Sequence, residues 1–193
     1  LAKALIDNGW YDAEFLKQFT DFPLLIRRDT LKRLDPRDVF PGYAPGLKPE
    51  GASFNQHHLT ADQYARLQDY VVRDARRSAL APVTRDDVGT HLAEKGIDPA
   101  LVWSGSVRLV DGREVEALTI FSAYKDIHLK DYDLDTVAAI TGADKGLIER
   151  LARDIGRRFW DPDFIGKPRD YYPVAIHVGE GINHYFHATL HNR

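Results

Sequence analysis

Asp111-Gly112 stands between two short alternating apolar runs, with Val107 and Leu109 before it and Val115 and Ala117 after it. An Asp-Gly pair in that setting is the strongest short-range hairpin signal a sequence offers. The favoured two-residue turn needs positive φ at both central positions, which this dipeptide tolerates. The pair therefore commits residues 107–117 to two antiparallel strands, and any fold proposed for the chain has to accommodate them.

The 193-residue chain must bury that hairpin, and with 44% hydrophobic and 28% charged residues it can do so as one domain-sized globular piece. Its formal charge of −3 leaves no basic field to hold nucleic acid or an anionic membrane. Cysteine is absent, which excludes a disulfide scaffold, a thiol nucleophile and any cluster or zinc site built on thiolates within these residues. No apolar run approaches the roughly 20 residues a membrane span needs, so direct membrane insertion is not expected. The chain opens on Leu1 inside an amphipathic run, contains no methionine and stops at Arg193 inside what reads as an unfinished helix. An internal piece of a longer protein is the expectation.

Along the chain, apolar residues at 1, 2, 4, 5 and 6 give a first helix that Asn8-Gly9 breaks, and Asp12 caps a second through Phe19. Thr20-Asp21 anchors a turn into Phe22-Pro23-Leu24-Leu25-Ile26, a run too short for a helix and best read as a buried strand. From 35 to 53 the chain carries four prolines and three glycines, a composition that does not sustain regular structure. Thr60 and Gln63 resemble a capping box, Val71-Val72 begins a short strand, and residues 84–89 lead into a helix ending at Gly96. A helix over 135–140 stops at Gly142. Asp144 then caps another, in which Leu147, Ile148, Leu151 and Ile155 form a stripe expected to pack on a sheet and Glu149 to pair with Arg153. Residues 35–130 thus read as excursion and hairpin, and 131–193 as a helix, strand, loop and helix.

The chemistry concentrates in that last part. Residues 173–178 form an apolar strand without alternation, which implies burial on both faces as in a parallel sheet. The strand runs into Gly179-Glu180-Gly181-Ile182-Asn183-His184 and then a helix. Strand, glycine loop and helix together aim free backbone N–H groups at a phosphate. The expected class is α/β: part of a Rossmann-like parallel sheet with flanking helices, plus the Pro/Gly-rich excursion and the hairpin. Gly179 and Gly181 would let a ligand approach the backbone, and Asn183 and His184 add an amide and an imidazole for hydrogen bonding. The competing structural reading of the same loop is a tight turn closing a buried strand. His184, His187 and His191 recur near one helical face beside His177, but no H-E-x-x-H glutamate lies among them, and no metal site is assigned. His57-His58 reads as a solvated pair, and no serine sits in a nucleophile elbow.

Three blocks carry a family resemblance: residues 19–26 (Phe-Thr-Asp-Phe-Pro-Leu-Leu-Ile), Ile140-Thr141-Gly142 with 147–153 (Leu-Ile-Glu-Arg-Leu-Ala-Arg), and 178–187 (Val-Gly-Glu-Gly-Ile-Asn-His-Tyr-Phe-His). In this order they resemble the catalytic alpha subunit of the molybdopterin oxidoreductases, the dimethyl sulfoxide reductase family, in its type II branch. That branch holds respiratory nitrate reductase, nitrite oxidoreductase, and the chlorate, perchlorate, selenate and ethylbenzene enzymes. Residues 29–34, 84–89 and 128–136 look most like the nitrite oxidoreductase alpha subunit.

The resemblance implies molybdenum held between two molybdopterin guanine dinucleotides, with nitrite and nitrate as the interconverted substrates. Electrons would pass to an iron-sulfur beta subunit and a membrane electron-transfer subunit, in a membrane-associated complex with the periplasmic side favoured over the cytoplasmic. By the same resemblance the dinucleotide is contacted by Gly179, Glu180, Gly181, Asn183 and His184. The family's molybdenum-ligating aspartate and cysteine-rich cluster motif have no counterpart among these residues. No catalytic residue is therefore nominated, and the piece alone is expected to be inactive. A stand-alone nucleotide-binding α/β module and a structural or interaction domain, using the Pro/Gly excursion to dock, stay open beside it.

Overall fold

The computed structural model describes residues 1–44, 69–84 and 87–168. They fall into two compact units, one of residues 1–11 with 134–168 and the other of the described residues between 12 and 133. The sequence features at 57–58, 60–63 and 173–191 lie outside the described residues.

The second unit begins with helix α2 (Ala13–Phe19), following α1 (Ala2–Asp7) of the first unit; the expected cap is in place, Asp12 accepting the Phe15 N–H at 2.9 Å. Thr20 closes the helix by donating its hydroxyl to the Leu16 carbonyl at 2.6 Å and accepting the Phe22 N–H at 3.2 Å, which turns the chain into β1 (Leu25–Arg27). Asp35 then caps a short helix α3 (Pro36–Val39), with Pro36 at its first turn. The opening of the Pro/Gly-rich stretch is therefore helical, because proline's fixed φ suits the first turn, where its missing N–H costs nothing.

Strands β2 (Asp69–Asp74) and β3 (Ala79–Thr84) make an antiparallel hairpin, of which the sequence showed only the beginning at Val71-Val72. Helix α4 (Thr90–Glu94) follows and ends at Gly96, whose positive φ of 65° lets the Gly96 and Ile97 amides cap the helix on the Ala93 and Leu92 carbonyls. Next come β4 (Ser104–Arg108) and β5 (Glu114–Thr119), the expected hairpin, with Val107 facing Val115. Its turn differs from the expected one. Leu109 N–H donates to the Arg113 carbonyl at 2.8 Å and Gly112 N–H to the Leu109 carbonyl at 2.9 Å, and of the Asp-Gly pair only Gly112 has positive φ, at 87°. This is the three-residue connection with a glycine bulge. Asp111 serves by accepting the Arg113 amide at 3.0 Å rather than by turning left-handed itself.

The class is mixed α/β, as expected, but the strands described pair antiparallel: β1-β5-β4 in one sheet and β2-β3 in the other. The Rossmann-like parallel sheet is not seen among them. The strand that suggested it, 173–178, lies outside the described residues, but β1 shows that unbroken apolarity does not require a parallel sheet. Leu25 packs into one core with Leu34, Val71, Val107, Leu109 and Ala117, and the preceding Leu24 packs into a second with Val72, Val83, Leu92 and Ile97. Successive side chains on a strand point to opposite faces. A run such as Phe22-Pro23-Leu24-Leu25-Ile26 is thus apolar throughout because it lies between two cores, and antiparallel strands satisfy that as well as parallel ones. Isolated bridges from Leu24 to Val72 and from Ile26 to Arg33 join the same segment to its other neighbours.

After β5, Thr119 caps α5 (Ile120–Ala123) by accepting the Ser122 N–H at 3.2 Å, and the chain widens into a π-helical turn over Tyr124–His128. Phe121, 1% exposed, meets Phe22 edge to face at 5.3 Å.

In the first unit, α6 (Leu134–Thr141) stops at Gly142 with φ 71°, and α7 (Lys145–Ile155) starts from Asp144, whose carboxylate accepts the Leu147 N–H at 2.9 Å. Among the described residues α7 lies against α1, α6 and α8 (Arg157–Trp160); residues 173–178, read above as a strand, lie outside them. Leu147 and Leu151 remain about half exposed, at 58% and 48%, while Ala152 is buried. The contact is set by small residues: Gly156 sits under the Trp10 indole, so closely that a Cβ there would lie 2.6 Å from the ring. Gly156 has an ordinary φ of −77°, so the demand is one of space alone. Gly156→Ala is expected to cost about 2 kcal/mol through overpacking. The added variant Trp10→Leu should recover most of that loss, and urea unfolding of the two single variants and the double reads the coupling.

Candidate functional site

The loop nominated from sequence, Gly179, Glu180, Gly181, Asn183 and His184, lies outside the described residues, as do His177, His187 and His191. What the structure supplies is the course of the chain toward it. Arg157 binds Asp161 through two nitrogens at 3.0 and 2.8 Å while its guanidinium covers the Phe164 ring at 4.5 Å. Hydrogen bonding to Arg157 and to the Asp163 amide holds the Asp161 carboxyl below the usual carboxylate range. Arg158 reaches the carbonyls of Pro168 at 2.9 Å and Lys167 at 3.1 Å. Trp160 donates its indole N–H to the Arg153 carbonyl at 2.8 Å, with the Arg153 guanidinium stacked 4.3 Å above the ring. Arg153 therefore serves this aromatic contact, and the expected pair with Glu149 is not among the described ion pairs. Two arginines of α8 thus fold residues 161–168 back onto it, while Arg153 of α7 holds Trp160, an arrangement the residue types alone did not announce.

Several charged groups of the second unit are bound to one another. Asp74, 1% exposed, accepts the Arg76 amide at 3.0 Å, the Asp98 amide at 3.3 Å and Arg77 Nη1 at 3.0 Å. Burial works against its charge, but the donated amides and the Arg77 cation prevail and hold the carboxyl below its ordinary range. Asp87 accepts from Thr84 N–H at 2.7 Å and from Lys95 Nζ at 2.6 Å, closing the link from β3 to α4. Lys17 is partly desolvated, which disfavours its ammonium, yet Asp98 and Glu14 outweigh this and raise its pKa. These residues hold loops in place. Neither Asp74 nor Asp87 was singled out for that role beforehand, and the available signal was an aspartate at a strand end two or three residues from the amide it binds.

The concavities agree with this picture. A surface hollow of about 630 Å³ is lined by Arg27, Arg28, Asp29, Arg113 and Glu116, but Arg27 is already committed to Asp29 at 2.6 Å and Arg113 to Asp111 at 2.7 Å. A groove of about 490 Å³ in the first unit runs past Trp10, Leu134, Gly146, Glu149 and Arg150. Among the described residues no cluster of three or more His, Asp or Glu side chains is arranged to hold a metal ion, and no helix is long and apolar enough to cross a membrane.

No family model matches the chain. Two curated proteins do. The chain is 28% identical over 193 residues, its whole length, to the respiratory nitrate reductase subunit alpha of Haloferax mediterranei. It is 29% identical, over 98% of its length, to the perchlorate reductase subunit alpha of Dechloromonas aromatica. It spans only 17% and 19% of those two proteins. The resemblance to the molybdopterin oxidoreductases, read from three separated blocks of sequence, is thereby borne out, and the chain is similar to one stretch of the alpha subunits of a nitrate reductase and a perchlorate reductase.

Proposed function

We propose that the chain is part of the catalytic alpha subunit of a molybdenum-dependent oxidoreductase that interconverts nitrite and nitrate. The observation that carries this reading is the likeness to a nitrate reductase alpha subunit along the entire chain. A chlorine oxyanion substrate is the second reading, supported by the equal likeness to a perchlorate reductase.

Within this proposal, residues 131–193 form the cofactor-binding part. The donors fit the group. As glycines, residues 179 and 181 bring no side chain to cover their own backbone N–H groups, and Asn183 and His184 add an amide and an imidazole. This is a donor set suited to the pyrophosphate of a pterin guanine dinucleotide. Bound there, the molybdenum cofactor supplies oxygen-atom and two-electron transfer. The chain's own part is to grip and orient the dinucleotide, with Glu180 lining the loop. Electrons leave through an iron-sulfur beta subunit and a membrane subunit of a membrane-associated complex, on its periplasmic side, and the iron-sulfur cluster of the alpha subunit is bound by residues other than these.

The test uses the whole enzyme carrying this chain. Asn183→Ala removes a hydrogen bond to a charged group and is expected to weaken dinucleotide retention about tenfold. Gly181→Val should abolish it by filling the approach to the backbone. Both are read as molybdenum per subunit in purified complex. Nitrite oxidation, nitrate reduction and perchlorate reduction by the unaltered enzyme decide the substrate. Full molybdenum content in both variants would remove the loop from the cofactor site, whereas absence of molybdenum from the unaltered enzyme would overturn the family reading itself.

A further inference from the structure

Asn8-Gly9 was noticed in the sequence only as the break after the first helix. Of the asparagines at 8, 55, 183 and 192, Asn8 alone precedes a glycine. Both residues are exposed, and nothing stands within 4 Å of where a Cβ on Gly9 would lie, so water and base reach the peptide from that side. An asparagine followed by glycine meets little steric resistance when the glycine nitrogen turns on the side-chain amide. We propose that Asn8-Gly9 is a spontaneous modification site, where asparagine converts to aspartate and isoaspartate at a rate metered by opening of the last turn of α1.

The chemistry needs only water and base. The Gly9 backbone nitrogen gives up its proton and attacks Asn8 Cγ. The Cγ–Nδ2 bond breaks and the side-chain nitrogen departs as ammonia, leaving a ring imide. Water then opens the imide at either carbonyl to give aspartate or isoaspartate, with no change in oxidation level.

The folded turn withholds both reacting groups. Asn8 sits at φ −90° and ψ −2°, in helical conformation. Its Nδ2 donates to the Ala4 carbonyl at 2.8 Å, and the Gly9 N–H donates to the Ile6 carbonyl at 3.0 Å. Attack requires both bonds to break and the backbone to leave the helical region. The turn that holds them is the last of α1, and the terminal turns of a helix open more readily than its middle. Its surface support is the Lys3–Asp7 pair at 3.3 Å. The product disturbs what lies beyond. A carboxylate at position 8 adds negative charge beside Asp7 at the helix C-terminus, where the dipole disfavours it. Isoaspartate, moreover, lengthens the backbone just before Trp10, whose N–H caps Leu5 at 2.8 Å and whose ring covers Gly156. Conversion thus loosens the seat of α7.

Peptide mapping of the full chain, aged in mildly alkaline buffer with and without urea, tests this. Ala4→Gly keeps the acceptor carbonyl but weakens the helix. It is expected to speed conversion at residue 8 about fivefold in buffer and not at all in urea, where the turn is already open. Asn8→Gln should abolish the product and confirms its assignment. Conversion in buffer at the same rate for Ala4→Gly and the unaltered chain, or no conversion at Asn8 in buffer, would overturn the proposal.

Discussion

Gly89→Ala is expected to destabilise the chain by about 4 kcal/mol, the sum of two penalties that fall on the same atom. Gly89 lies at φ 55° and ψ −120°, a region that side-chain-bearing residues scarcely enter, so an added Cβ is strained whatever surrounds it. The space is also taken: that Cβ would stand 2.9 Å from Cε1 and Cζ of Phe19. The position cannot relax easily, because Gly89 N–H donates to the Gln18 carbonyl at 3.0 Å and so ties the start of α4 to the end of α2. Phe19→Ala in the same chain removes the clash but not the strain. Urea unfolding of the single and double variants should return only part of the loss. Full recovery would show that crowding alone was at work, and no loss in the single variant would mean the α2–α4 contact is not as described.

Asp74→Ala carries a comparable expectation, about 4 kcal/mol, because it leaves the amides of Arg76 and Asp98 with no acceptor in a buried corner. Asp74→Asn separates geometry from charge. An amide oxygen in place of Oδ1 keeps both N–H partners, and only the attraction to the half-exposed Arg77 is lost, so about 1 kcal/mol should follow. The pH dependence distinguishes the two further. The folded-state pKa of Asp74 is depressed, so its ionic contribution is complete above the usual carboxylate range and is lost as the pH falls through the lower folded value. The gap between the unaltered chain and Asp74→Asn should therefore close in acid, while the gap to Asp74→Ala should persist in part. Thermal unfolding across the acid range measures both.

Local chemistry was largely legible in the sequence. The caps at Asp12 and Asp144, the stops at Gly96 and Gly142 and the hairpin around Gly112 each depend on a side chain or a glycine within a few residues of its effect. What escaped depends on something farther off. The β2-β3 hairpin turns through Ala75, Arg76, Arg77 and Ser78, with no glycine. Ser78 takes the positive φ of 50°, and Asp74 reaches forward to pin the turn. Pro82 within β3, opposite Val71, further masks the strand, since proline is tolerated only where no ladder donor is needed. The parallel sheet was inferred from the unbroken apolarity of residues 173–178, which lie outside the described residues; Leu24-Leu25 and Val71-Val72 show that two cores on either side of an antiparallel strand produce the same pattern. For the candidate cofactor loop the sequence offers only donor types, because the direction of backbone N–H groups, on which binding rests, is not written in any side chain.

The segment through Leu24, Leu25 and Ile26 has a kinetic consequence. It is hydrogen-bonded to β5 on one side, bridges to β2 near Val72 and shows a different face to each core. Neither hairpin can complete its packing until this early stretch of chain has met partners far along the sequence. Assembly of the second unit should consequently wait on these remote encounters, with the Ile26 amide among the last to surrender its proton to deuterated solvent.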